Sequence, residues 1–238
     1  MEENQGQIDN PNVSQVGVSS PNSNLALTPS PADGGVGLVA TSEPQFYIAS
    51  LADGSFLQTE ILSDVTEYRL IADSILSDEG LEIVPIIHKL AIIVSQDCDL
   101  EQDYHRRREL KESGQVTDAE DEKLLPSILL CEVASESAIA AALKVQGRTV
   151  RERFRQNKEE RYQFLKAVEA KADAEKSGIE AMGIDFKRYF SVPTEELYAQ
   201  LRGDCKRRCS LGPHYLEHFS RRFTNHLSRV ALPKDHHQ

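Results

Sequence analysis

The sequence has no tryptophan, and aromatic residues make up only 6% of its 238 positions. It has no apolar run close to the ~20 residues that span a bilayer. The longest, Leu81 to Val94, is broken by Glu82, Pro85, His88 and Lys89. No membrane association is expected. The opening MEENQGQIDN has no basic segment and no apolar core, which argues against a secretory signal and predicts a cytoplasmic protein. Four cysteines are too few to frame a chain of this length, so reduced thiols are expected. Neither common Gly-rich phosphate loop occurs, nor does Gly-x-Ser-x-Gly or His-Glu-x-x-His. No cofactor is expected.

What is present is charge, unevenly spread. The formal net is −11. Residues 1–43 carry five acids and no base, residues 44–140 carry 20 acids and 7 bases, and residues 141–238 carry 13 acids and 20 bases. This excludes a uniformly basic nucleic-acid binder and leaves a basic C-terminal part to explain. Residues 1–43 are rich in Asn, Ser, Pro and Gly and have no helical apolar spacing. Such a segment cannot bury enough surface to offset its ordering entropy, so it reads as a disordered tail. Residues 44–238 read as a single α+β domain with a charged excursion at 101–123.

Within that domain, FYIASL, Asp53-Gly54 and SFLQTEIL suggest a hairpin. EYRLIADSIL fits a short helix or a strand. LEIVPII precedes KLAIIVS, a continuous apolar run of the kind found in buried strands. LLPSILLCEV and IDFKRYFSVP are further strands. Ser135 caps one helix, and TEELYAQL forms another. Tyr215, Leu216, Phe219, Phe223, Leu227 and Val230 lie on one face of a closing helix that Pro233 ends. The expected fold is a small antiparallel β-sheet or barrel, with helices in the second half and a closing C-terminal helix.

Three stretches, IIVSQDCDL, RYQFL with DFKRYFSVP, and SLGPHYLEHFSRRFTNHLSRVALP, resemble a group of uncharacterised bacterial proteins. In that group a strand ends in Ser/Thr-x-x-Cys-Asp, and a closing helix carries Tyr-x-Glu and then Arg-Phe. By spacing and composition, residues from Thr149 to Gly178 read as further helix; the resemblance instead implies a helix to about Asn157, a strand at 161–165 and a loop or helical insertion at 166–180. More distantly, AIIVSQD resembles the buried strand of the MazF/PemK toxins, small β-barrel ribonucleases, with Lys89-Leu90 where those have Arg-Pro.

Three sets of residues could carry chemistry. Asp97, Cys98 and Asp99 stand at a strand end, where a sheet fixes the backbone beside a cleft. Two carboxylates there suit a cation, acid–base work or an arginine, with Arg222 and Arg229 of the closing helix as the expected partners. The competing structural reading buries Cys98 and uses one carboxylate as a cap. Cys205, Cys209 and His214, completed by Cys98 or Cys131, have a spacing that permits zinc; the leading reading assigns no metal. Arg151, Arg155, Lys206, Arg207, Arg208 and Arg221 could form a nucleic-acid surface, or could dock on the acidic half of the chain. Two functions follow: a binding or accessory protein, in a mobile-element or defence setting with a protein or nucleic-acid partner, or a ribonuclease of toxin type.

Overall fold

Sheet residues 91–93 show how the core is built. Ala91 and Ile93 face one layer, and Ile92 faces the other. Both faces are covered at these three residues, which is why the sequence there is apolar without alternation. The computed structural model describes residues 45–76, 80–115, 121–143 and 148–228. The proposed tail at 1–43 lies outside them, and so do Arg229 and Val230.

The elements run β1 (Tyr47–Ala49), β2 (Ile61–Leu70), β3 (Ile83–Ile93), α1 (Asp97–Ser113), β4 (Ser127–Ser135), α2 (Glu136–Ala142), α3 (Arg148–Arg155), β5 (Tyr162–Leu165), β6 (Met182–Pro193), α4 (Thr194–Gln200), β7 (Lys206–Leu211) and α5 (Pro213–Leu227). Short 3-10 turns occupy Ala72–Leu76 and Ala170–Ala172. The fold is α+β, with one seven-stranded sheet in the order β1-β7-β2-β3-β4-β6-β5, antiparallel throughout. β1 and β5 are its two ends, so the sheet is open; the barrel alternative does not close.

One face packs on α5. Phe219 and Phe223 meet Phe186 edge-on, at ring-centroid distances of 5.8 and 5.7 Å. The other face carries Leu100 of α1 and Leu197 of α4 against Leu62, Ile93 and Leu130. A smaller cluster joins Ile139 of α2, Phe154 of α3 and Tyr162 of β5. Gly212 lets the chain enter α5, because a Cβ there would stand 2.1 Å from the Gln45 carbonyl oxygen.

The hairpin expected around Asp53-Gly54 is not formed. β1 pairs with β7, and residues 50–60 form a loop leading into β2. The cause is Arg207. Its guanidinium makes a two-pronged pair with buried Glu60 (2.7 and 2.8 Å) and donates to the carbonyls of Gly54 (3.1 Å) and Ser55 (2.8 Å). The loop wraps the cation and leaves no ladder to build. EYRLIADSIL divides between the end of β2 and a 3-10 turn, and LEIVPII and KLAIIVS join into the single strand β3. The charged excursion opens as the helix α1; its residues 116–120 lie outside the described set. Buried Asp103 of α1 pairs with Arg107 (2.9 Å) and accepts from the Leu125 N–H (2.8 Å), fixing the return into β4.

Removing one partner of a buried ion pair strands the other charge in low dielectric. Glu60→Ala is therefore expected to cost about 3–5 kcal/mol of stability, read from the guanidinium unfolding midpoint. The double variant Glu60→Leu/Arg207→Met should recover most of that loss. A single-variant cost below ~1 kcal/mol would refute the role given to this pair.

Candidate functional site

The strand-end motif has an exposed position beside α5. Ser95 and Gln96 leave the sheet, and Asp97 starts α1. Asp97 Oδ1 accepts from the Gln58 backbone N–H at 2.6 Å, and Gln58 Nε2 donates to the Val94 carbonyl at 3.0 Å. One carboxylate of the motif is thus spent on holding the 50–60 loop. Asp99 is exposed and lines a cleft of about 550 Å³ with Gln58, Gln96, Ser220, Phe223 and Thr224. Of the motif, Asp99 shares this cleft with α5, and Arg222 does not line it. Arg222 donates to the carbonyls of Asn157 (2.6 Å), Glu159 (2.6 Å) and Tyr162 (2.9 Å), and so braces the turn before β5. Burial lowers its pKa from the usual arginine value. Arg229, the other expected partner, lies outside the described residues. Cys98, which the structural reading buries, is exposed instead; its Sγ lies 3.5 Å from Asp99 Oδ1.

The residues considered for zinc are not brought together. Cys205 belongs to the layer under α1 and α4, and Cys209 to the layer under α5. Burial pushes both thiols up to about 12, and Cys131 likewise. His214 is exposed at the start of α5. No group of three or more His, Cys, Asp or Glu side chains suited to a metal forms among the described residues.

Most of the basic candidates are paired. Arg207 is buried on Glu60. Arg208 binds Asp173 through two contacts of 2.8 and 2.7 Å. Arg155 and Arg151 share Glu136, at 2.9 and 3.7 Å. Lys206 donates to the Gly203 carbonyl at 2.6 Å, while Arg221 is exposed. Glu60 and Glu136 come from the acidic half, Asp173 from the basic half. Four of the six candidates thus meet carboxylates of the same domain.

A second concavity was not foreseen. β3 pairs with β4 only at Ala91, Ile92 and Ile93, and from Leu90 back to Ile83 its sole ladder partner among the described residues is β2. On the other arm, β6 sets Asp185–Arg188 against the single residue Glu132, a large bulge between the pairs Cys131↔Tyr189 and Val133↔Ile184. The sheet therefore forks. The fork encloses about 840 Å³, lined on one arm by Ile86, Ile87 and His88 and on the other by Glu132, Arg188 and Tyr189. The His88 ring stacks on Phe190 at 3.8 Å, and its Nε2 lies 3.1 Å from Glu67 Oε2. Arg188 closes on Glu132 at 3.0 Å. Pro85 was the available signal, since proline inside a strand run marks an open edge.

No family model, curated protein or solved structure matches this chain.

Two tests address these placements. Asp97→Ala leaves the Gln58 N–H without its partner and should cost about 1–3 kcal/mol in thermal or denaturant unfolding. Asp99→Ala, at an exposed site, should stay within ~0.5 kcal/mol of the parent. Equal costs would mean that Asp99 is also structural. The second test is pH. The Arg208 guanidinium hydrogen-bonded to Asp173 holds that carboxyl at about 2, below its ordinary 3.8. A lowered folded pKa adds stability above the ordinary value, and this is lost as pH falls through the folded one. Between about pH 5 and pH 2 the parent should lose roughly 2 kcal/mol more than Asp173→Asn. Parallel acid-unfolding curves would contradict this.

Proposed function

We propose that this protein is a non-catalytic binding or accessory module that acts by docking another protein. The observation that carries the reading is the exposed apolar ribbon of β2 and β3. Tyr68, Ile83 and Ile87 are each 59% exposed and Leu70 is 41% exposed. Apolar side chains gathered at the end of one ribbon mark an interaction surface more than scattered exposure does. The chemistry foreseen at the strand end supports the same reading: Asp97 is spent on a backbone N–H, and Arg222 on backbone carbonyls. A bacterial, cytoplasmic, mobile-element or defence setting rests on the motif resemblance and the sequence features alone. No helix among the described residues is long and apolar enough to cross a membrane.

The competing ribonuclease reading makes a direct demand. If it holds, purified protein cleaves single-stranded RNA, and Asp99→Ala lowers that rate about 100-fold or more. On the binding reading, RNA stays intact. RNA affinity at ~0.15 M salt then stays in the non-specific range, Kd above about 1 μM, with little difference between parent and Arg221→Ala.

A further inference from the structure

The geometry points to an extended strand of a partner protein as the occupant of the fork between β3 and the β4–β6 arm. This deepens the binding reading above and rests on it. An unpaired strand edge presents N–H and C=O groups at strand spacing, and another extended backbone matches that pattern. From Ile83 to Leu90, β3 has a ladder partner on one side only among the described residues. The open edge is roughly 25 Å long at ~3.3 Å per residue.

The hydrogen-bond phase places Pro85 on that edge. The Ile71 N–H donates to the Glu82 carbonyl at 2.9 Å. Bonded pairs alternate along an antiparallel ladder, so Arg69↔Val84 and Glu67↔Ile86 exchange bonds, while Tyr68↔Pro85 falls between them. The backbone of Thr66 accordingly turns away from β3, to the side-chain amide of Gln200 (2.9 and 2.8 Å). Pro85 therefore forfeits nothing to β2, and its missing donor faces the fork.

Charge and proline select the occupant. Most of the fork's charges are paired: Glu67 with Arg69 (3.1 Å) and His88 (3.1 Å), Glu132 with Arg188 (3.0 Å), and Lys89 with Asp64 (2.7 Å). Exposed Glu180 and Lys187, of opposite sign, also line it, so the lining carries little net charge. Such a lining suits a neutral peptide and gives little attraction to a phosphate backbone or a strongly charged peptide. Ile87 on one arm and Tyr189 on the other, 59% and 51% exposed, offer apolar contact to alternate side chains. Self-pairing of two β3 edges would place both copies' Pro85 in one short ladder and lose a donor from each. A partner's strand meets that loss once.

The probe is a display library of random peptides roughly 10 residues long, selected on the full chain. Selected peptides should alternate apolar and polar residues with little net charge. Hydrogen exchange with the bound peptide should slow at Ile86–Leu90 and Val133–Ser135. Ile87→Asp, on an exposed site, should keep the unfolding midpoint and weaken the peptide at least tenfold, whereas Asp99→Ala should leave affinity unchanged. The inference is overturned if no peptide is selected, if protection falls elsewhere, or if Ile87→Asp binds within twofold of the parent. It is also overturned if sedimentation shows a concentration-dependent dimer that Ile87→Asp abolishes, because the edge then serves a second copy. A partner photocrosslinked to the Tyr68 and Leu70 side of the ribbon, with the fork unprotected, would end this inference and leave the binding reading standing. RNA cleavage dependent on Asp99 would remove the binding reading itself.

Discussion

The guanidinium of Arg207 sits almost wholly out of water between a strand and a loop. Its carboxylate partner, Glu60, is fully buried, so the pair must satisfy itself. Two prongs go to Glu60, and two more donors go to carbonyls of the 50–60 loop. The ring of Phe56 lies 5.4 Å below the cation. Several features follow from this arrangement. The loop does not become a hairpin arm, β1 pairs with β7, and the chain rejoins the sheet through backbone bonds of Thr59 and Glu60 to Ile93. The same loop presents the Gln58 N–H to Asp97, which connects the buried pair to the start of α1.

The rest of the charge repeats this economy on a smaller scale. Arg208 takes Asp173, Arg107 takes Asp103, Arg161 takes Asp185, and Arg222 takes three carbonyls. A planar fork matches carboxylates and paired carbonyls better than a lysine ammonium does. These arginines brace turns and strand junctions. They leave the ribbon of β2 and β3, with its apolar tip and open edge, as the most distinctive surface among the described residues.

Much of the fold was legible in the residues. AIIV at 91–94 read as a doubly covered strand, DFKRYFSVP as a strand, TEELYAQL as a short helix, and the 3–4 spacing of Phe219 and Phe223 as a buried helical face. Each depends on a local period or a local terminator. The hairpin failed because Asp-Gly signals a turn but cannot report an arginine arriving from 150 residues downstream. The Asp97 and Asp99 roles were half legible. Asp99 does line a cleft beside α5, but which carboxylate holds the Gln58 loop and which faces the cleft depends on where that loop falls. The fork left one trace, Pro85, because loss of strand pairing is a relation between strands.

By itself, then, the sequence determined which segments are apolar on one face, which on two, and where α2, α4 and α5 begin. Those properties are set by side-chain transfer energy and backbone sterics within a few residues. Only the tertiary structure decided that Arg207, Arg208 and Arg222 are spent on internal carboxylates and carbonyls, and that β3 parts from β4 at Leu90. Both depend on relations between residues remote in sequence: where opposite charges meet, and where β3 and β4 stop pairing.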